Sequence, residues 1–147
     1  MNDFKEIFGI FERISIPELG INNVLAKIDT GAYSGALHCS KITEAVRESD
    51  GKTVLRFIPL ENSANEMELV DYNVTYIRSA TGHRRKRYQF DTSIIIKGVT
   101  YPIRIGLSDR SDMNYEVLIG RRFLRENNIL VDVRINQEYD SDGAKKS

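Results

Sequence analysis

The chain has 147 residues, of which 41% are hydrophobic and 29% are charged, a composition typical of one globular domain with a single core. Lys plus Arg and Asp plus Glu number 21 each, so the zero net charge excludes a global field that would attract nucleic acid or a membrane surface. The single cysteine, Cys39, excludes an intramolecular disulfide framework, and the first residues lead into no apolar run, so we expect a cytoplasmic protein without a membrane segment.

The chain begins with a predicted β-hairpin. Residues 12–17 alternate polar and apolar side chains, and residues 24–28 are mostly apolar. The stretch between them is rich in turn formers, which favours a hairpin connection. We also expect the aromatic residues Phe8 and Phe11, together with Ile10, to dock on the core.

The most informative motif follows the second of these strands. The apolar run ends at Asp29, which is followed at once by Thr30, Gly31 and Ala32. A rigid strand holds the backbone of the acid, and a glycine permits a tight turn that exposes the carboxylate. Asp29 is therefore a candidate catalytic acid, although the same triplet is also ordinary turn chemistry.

The remaining elements are again short strands separated by turn signals. The dipeptides Asp50-Gly51 and Lys97-Gly98 each predict a hairpin, and Pro102 indicates an edge or a position without a paired N–H. Further strands are predicted at 42–48, 52–60, 70–78, 93–97, 99–105, 116–119 and 129–133, loops at 61–68, 79–83 and 107–115, and one or two helical turns at 121–127. This pattern predicts an all-β closed barrel as one domain over residues 1–135, followed by a polar, disordered tail at 136–147.

The order of two motifs resembles the retropepsin type of aspartic protease. The first is the Asp29 triplet with Ala32, and the second is an apolar strand that ends in Ile119, Gly120 and Arg121 and leads into a short helix. Within that type, the chain is similar to the RimB-like group of bacteria, which has been labelled an ATP-dependent zinc protease. The similarity spans roughly residues 12–133 and includes Ala36-Leu37-His38, Asp109-Arg110, Met113, Tyr115, residues 118–121 and Leu130-Val131-Asp132-Val133.

The resemblance implies an acid-protease barrel with one short helix near its C-terminal end and an aspartic endopeptidase activity. Such hydrolysis needs two carboxylates that share a proton, and this chain supplies one. A two-fold homodimer would bring Asp29 and its symmetry mate together. In this interpretation Thr30 bonds across the dimer, Gly31 offers its N–H to the carboxylates, and Arg121 pairs with an acid near the active loop.

The same resemblance assigns roles to other residues. Ile119 and Gly120 support the active loop from beneath, and a flap formed by Ala80, Thr81 and Gly82 closes over an extended peptide. Two positions depart from the pattern expected in relatives. Tyr88 follows Arg87 where relatives are expected to carry proline, and Tyr33 stands where they carry a basic residue. Both differences bear on substrate preference.

The ligand is less constrained by the sequence. The basic run at 84–87 is compatible with binding of an acidic peptide, which we favour over RNA because few aromatic residues lie nearby. It is also compatible with a solvated strand edge. Relatives are associated with ATP-grasp ligases that add glutamates, so the resemblance implies a glutamate-rich or polyglutamylated substrate. A non-catalytic module that binds a peptide or partner on the same fold is the alternative.

Neither a metal nor a cofactor is predicted. The soft metal ligands are His38, Cys39 and His83, and the two adjacent ones would point to opposite faces of a strand. The chain has no His-Glu-x-x-His motif, no paired-cysteine spacing and no glycine-rich phosphate loop with lysine. The sequence therefore does not support the zinc and ATP of the group's label.

Overall fold

The computed structural model describes residues 6–60, 65–78, 80–109 and 115–140. Within these ranges the regular secondary structure is almost entirely β-strand, and no described helix is long and apolar enough to cross a membrane. The elements in chain order are β1 (Glu6–Gly9), β2 (Phe11–Ile16), β3 (Ile21–Asp29), β4 (Gly35–Val46), β5 (Thr53–Pro59), β6 (Met67–Leu69), β7 (Asn73–Arg78), β8 (Arg84–Ile96), β9 (Val99–Ser108), β10 (Val117–Gly120), α1 (Arg121–Glu126) and β11 (Ile129–Asp132), with 3-10 turns at Pro17–Leu19 and Gln137–Tyr139.

Six of the strands close into a barrel. Their neighbour order is β10, β3, β2, β8, β9 and β4, and the circle closes because β10 also pairs with β4. Strand β10 runs parallel to β3 and antiparallel to β4, so it is the element that joins the two ends of the sheet. Closure leaves these strands paired on both sides. The predicted all-β closed barrel with one short helix near the C-terminal end is confirmed.

The core fills the inside of this barrel with apolar side chains. In the middle of β9, for example, buried Tyr101, Ile103 and Ile105 alternate with exposed residues, which is the period expected for half-buried strands. The predicted docking of Phe8 and Phe11 is also confirmed, since both rings are fully buried. The largest of the other fully buried side chains are Phe57, Phe90, Ile14, Ile16, Leu19, Ile28, Leu37, Leu55, Ile94 and Ile96.

The hairpin predictions hold where the turn chemistry is local. Gly51 and Gly98 adopt φ values of +73° and +77°, the left-handed region that favours glycine, between β4 and β5 and between β8 and β9. Pro102 lies opposite Ser93 of β8, and the pairing of β9 with β4 begins only at Ile105. The proline therefore occupies a stretch of β9 that has a neighbour on one side only, as its missing N–H requires.

Other boundaries differ from the prediction. Strand β4 begins at Gly35 and β8 at Arg84, so both are longer than the predicted segments. Part of the predicted loop at 61–68 forms β6, which pairs with β5. Residues 61–64 and 110–114 lie outside the described residues. The extra length of β4 and β8 comes from pairing with distant strands, which short sequence windows do not contain.

The C-terminal segment packs against the start of the chain. Strand β11 pairs in parallel with β1, and Asn136 donates from Nδ2 to the carbonyl oxygen of Phe11 at 2.7 Å. The ring of Tyr139 lies 6.3 Å from the ring of Phe11, centroid to centroid. Packing contacts thus extend past the predicted domain end at residue 135 into the predicted tail. Residues 141–147 of that tail lie outside the described residues.

A pair of substitutions in the β8–β9 hairpin tests this core. Ile96 is fully buried, whereas its register partner Val99 is 44% exposed. We expect Ile96→Ala to lower the free energy of unfolding by about 2–5 kcal/mol, because it removes buried methyl groups and leaves a cavity. Val99→Ala should change it by less than about 0.5 kcal/mol. Chemical denaturation measures both free energies of unfolding. Equal losses of stability in the two variants would contradict the assignment of Ile96 to the inward face.

Candidate active site

Asp29 occupies the end of a strand that is fixed on both sides. Strand β3 pairs in parallel with β10, where Asp29 is the register partner of Gly120. On the other side, the N–H of Ile28 donates to the carbonyl oxygen of Ile10 at 2.8 Å. Ile28 and Ile119 are both fully buried beneath the acid. The carboxylate therefore projects from one of the most constrained parts of the barrel.

The loop after Asp29 folds back onto its carboxylate. The N–H of Gly31 donates to Oδ1 of Asp29 at 3.0 Å, and the N–H of Ala32 donates to the backbone oxygen of Asp29 at 3.2 Å. A Cβ on Gly31 would lie 3.2 Å from that same Oδ1, so a side chain would crowd the carboxylate. Within one subunit the N–H of Gly31 thus makes the hydrogen bond to the Asp29 carboxylate that the resemblance implies. Thr30 is exposed, and its bond across a dimer stays a prediction.

Gly120 permits the close approach of two backbone segments. A Cβ at Gly120 would lie 2.6 Å from the carbonyl oxygen of Tyr33 and 2.7 Å from the carbonyl carbon of Ser34. Gly35 is similarly tight, since a Cβ there would lie 2.9 Å from the carbonyl oxygen of Leu118. Only glycine fits at such approaches. The active loop is therefore packed directly on the end of β10.

The start of α1 forms hydrogen bonds with the active loop, through its backbone and through one side chain. The N–H of Arg121 donates to the carbonyl oxygen of Ala32 at 2.8 Å. Its Nη1 donates to the carbonyl oxygens of Gly31 at 3.0 Å and Thr30 at 3.4 Å, and its guanidinium lies 5.5 Å from the ring centroid of Tyr33. These partners within one subunit are carbonyl oxygens and an aromatic face, whereas the resemblance implied an acid. A role of Arg121 in bracing a dimer stays a prediction.

The candidate flap is the hairpin of β7 and β8. All six side chains of β7 are exposed, as are Ala80, Thr81 and Gly82 in the connecting turn. Gly82 has a φ of +84°, and a Cβ there would meet no atom within 4 Å, so the turn projects into open space. This is the geometry expected of a flap. Closure over a peptide stays a prediction.

A groove separates this hairpin from the barrel wall. Its volume is about 280 Å³, and Ala36 at one side of it is the register partner of Leu118, two residues before Gly120. The groove therefore starts beside the strand that supports the active loop. Its walls combine apolar and charged side chains, among them Ile77, Leu107, Arg85, Arg87 and Asp109.

A polar cluster centred on Glu44, which sequence reasoning missed, fixes the base of the flap. Oε1 of Glu44 accepts hydrogen bonds from Nζ of Lys86 at 2.7 Å and from the hydroxyl of Tyr88 at 2.9 Å, and Oε2 accepts one from the hydroxyl of Tyr72 at 2.7 Å. These donors, the Lys86 ammonium first, lower the pKa of Glu44 to about 2. Burial, and then the Glu44 carboxylate, raise the pKa of Tyr72 to about 12. Since the partners are 28 to 44 residues away in sequence, no local pattern could have identified the cluster.

The candidate metal ligands lie in different environments. Cys39 is fully buried, and burial raises the pKa of its thiol to about 12, which disfavours the thiolate that metals and electrophiles require. His83 is exposed in the flap turn, whereas His38 is buried in β4. Among the described residues no group of three or more His, Cys, Asp or Glu side chains could hold a metal ion. The expectation of a metal-free site remains a prediction.

The Glu44 cluster predicts a pH dependence of stability. Because the folded state lowers the pKa of Glu44 from 4.5 to about 2, the carboxylate stabilises the fold above pH 4.5, and this contribution is lost as the pH falls towards 2. We expect Glu44→Gln to lower the free energy of unfolding at pH 7 and to converge with the wild type near pH 2. Urea denaturation across this range measures the difference, with Glu48→Gln as the exposed control. A constant difference at every pH would contradict the assignment.

Comparisons with known proteins identify relatives of this chain. Two curated relatives, each described as a probable alpha-L-glutamate ligase, come from Shewanella halifaxensis and Shewanella pealeana. Each is 29% identical over 164 aligned residues, which cover 100% of this chain and 35% of the relative. The chain thus spans about a third of the length of these relatives.

A solved structure and a family profile cover most of the chain. The crystal structure of Lpg0085, a protein of unknown function from Legionella pneumophila, is 26% identical and superposes with a TM-score of 0.62 over 89% of this chain and 95% of its own. The RimB-like family, described as the retropepsin-like aspartic endopeptidase RimB, matches residues 7–139. That match includes the whole barrel, the active loop and α1. The chain therefore belongs to the RimB-like family of retropepsin-like proteins.

Proposed function

We propose that this protein is an aspartic endopeptidase whose catalytic pair consists of Asp29 from each subunit of a homodimer. The observation that carries the proposal is the carboxylate of Asp29 at the end of β3, held through Oδ1 by the N–H of Gly31. Among the described residues none donates to its other oxygen, Oδ2. Membership of a retropepsin-like family supports the same assignment.

The chemistry requires the second subunit. One ionised carboxylate accepts a proton from a water molecule, whose oxygen attacks the carbonyl carbon of the peptide, while the neutral partner carboxyl donates a hydrogen bond to the carbonyl oxygen. The resulting tetrahedral intermediate collapses when the C–N bond breaks and the leaving nitrogen takes the proton that the first carboxylate had accepted from the water. Two like charges in close contact favour one shared proton, which supplies both states at once. A two-fold axis next to Asp29 would provide this pair.

We further propose that the substrate is a glutamate-rich or polyglutamylated peptide. The peptide would lie extended beneath the β7–β8 hairpin and pair with strand edges near the site. The guanidinium groups of Arg85 and Arg87 at the groove support an acidic ligand. The curated relatives named as probable alpha-L-glutamate ligases support a functional link to an ATP-grasp glutamate ligase system.

A non-catalytic binding module is the second candidate. One observation favours it: the curated relatives, of which this chain spans about a third, are described as probable alpha-L-glutamate ligases and not as peptidases. In that case the fold would recognise a tail or a partner enzyme and leave it intact. Cleavage assays separate the two functions.

Substitution of the candidate acid tests the endopeptidase. We expect Asp29→Asn to lower the rate of cleavage of a polyglutamate peptide by about 100-fold or more, because an amide cannot accept the proton of the attacking water. Asp71→Asn serves as the matched control, since Asp71 is an exposed acid between β6 and β7. Mass spectrometry of the products, from chelator-treated protein, measures the rates.

The outcomes differ between the candidates. Cleavage by the wild type and the control, and its loss in Asp29→Asn, would support the endopeptidase. Equal binding of acidic peptides by all three proteins without cleavage would favour the binding module. Cleavage that Asp29→Asn retains would contradict the assignment of the acid, and cleavage that the chelator abolishes would contradict the metal-free mechanism.

A further inference from the structure

We infer that the basic run at the start of β8 is divided between two faces, and that Arg85, assisted by Arg87, forms a subsite for the side chain of a substrate glutamate. This inference rests on the proposed peptide substrate, and it names the residue that binds the carboxylate of the glutamate side chain. Successive residues of a strand point to opposite faces, so residues 84 and 86 lie on one side of the hairpin and residues 85 and 87 on the other.

The cations of the first face are already engaged. Nζ of Lys86 lies 2.7 Å from Oε1 of Glu44, and the guanidinium of Arg84 lies 4.6 Å from the ring centroid of Tyr76. Lys86 also borders the groove, but its ammonium group is neutralised by that carboxylate. A ligand would have to compete with these intramolecular partners to recruit either cation.

The cations of the second face line the groove. Arg85 is exposed, is the register partner of Ile77, and forms no ion pair with an acid among the described residues. Arg87 is half-buried, and its Nη2 lies 3.5 Å from the carbonyl oxygen of Gly35. The groove therefore presents one exposed arginine and a second, half-buried one whose guanidinium lies near the active loop.

Gly106 provides the space that Arg87 occupies. A Cβ at Gly106 would lie 2.7 Å from Nε and 2.9 Å from Nη2 of Arg87, so any side chain there would displace the guanidinium. Gly106 is paired in register with Ala36 of β4, next to Gly35. The position of Arg87 is thus fixed by the backbone of two barrel strands.

The shape of the groove favours a glutamate side chain over a phosphate chain. Ala36, Ile77 and Leu107 offer apolar walls for a methylene stem, and a guanidinium binds a planar carboxylate through two parallel hydrogen bonds.

The experiment measures binding in the full chain carrying Asp29→Asn, so that the peptide is not consumed. The probes are a fluorescent oligoglutamate peptide, its glutamine counterpart and an oligonucleotide of equal charge, each followed by fluorescence anisotropy at fixed salt. We expect Arg85→Ala to weaken binding of the glutamate peptide by about tenfold or more, because a charge-assisted bidentate contact is lost. Arg85→Lys should retain part of the affinity, because lysine keeps the positive charge but cannot form the two parallel hydrogen bonds of a guanidinium.

Arg84→Ala is the matched control on the opposite face, and it should change the affinity by less than about twofold. Thermal melting of each variant establishes that it is folded. Equal losses in Arg84→Ala and Arg85→Ala, equal affinity for the glutamate and glutamine peptides, or tighter binding of the oligonucleotide would each overturn the subsite.

Failure of the subsite is distinguishable from failure of the proposed endopeptidase. If the peptides bind as expected but the wild type cleaves none of them, the subsite stands and the endopeptidase fails. If the wild type cleaves the glutamate peptide and Arg85→Ala leaves kcat/KM unchanged, the endopeptidase stands and the subsite is overturned.

Discussion

The position of the candidate acid depends on one close approach of backbone to backbone. Gly120 at the end of β10 packs so tightly against Tyr33 and Ser34 that a Cβ would lie within 2.8 Å of three of their atoms. The same strand closes the barrel by pairing with both β3 and β4. The strand pairing that closes the barrel therefore also positions Asp29. If the barrel did not close here, the active loop would lose the strand on which it packs.

The rest of the site builds outward from this contact. Gly31 fixes one oxygen of the carboxylate, and Arg121 holds the loop through the carbonyl oxygens of Thr30 and Gly31. Further away, Glu44 ties the base of the β7–β8 hairpin to the barrel strand β4. The tip of that hairpin is exposed around Gly82. The molecule thus combines a rigid acid with a hairpin that is anchored at its base and open to solvent at its tip.

Features with a local physical cause were predictable from the sequence. Asp50-Gly51 and Lys97-Gly98 specify tight turns through positive φ at glycine, and the apolar run before Asp29 specifies a half-buried strand. The parallel pairing of β1 with β11 and the contact of Asn136 with Phe11 join residues more than 100 positions apart. The carbonyl partners of Arg121 and the cluster around Glu44 are likewise products of the closed fold. Their geometry depends on tertiary packing, which no short window of sequence encodes.

The central claim is that each active site contains one Asp29 from each of two subunits. Subunit mixing tests it most directly. Wild-type protein is mixed with an equal amount of Asp29→Asn, the subunits are allowed to exchange, and cleavage is compared with that of the same amount of wild type alone. If mixed dimers are inactive, random exchange reduces the activity to about half. Activity unchanged by complete exchange would contradict the paired site, because it would mean that one Asp29 is sufficient.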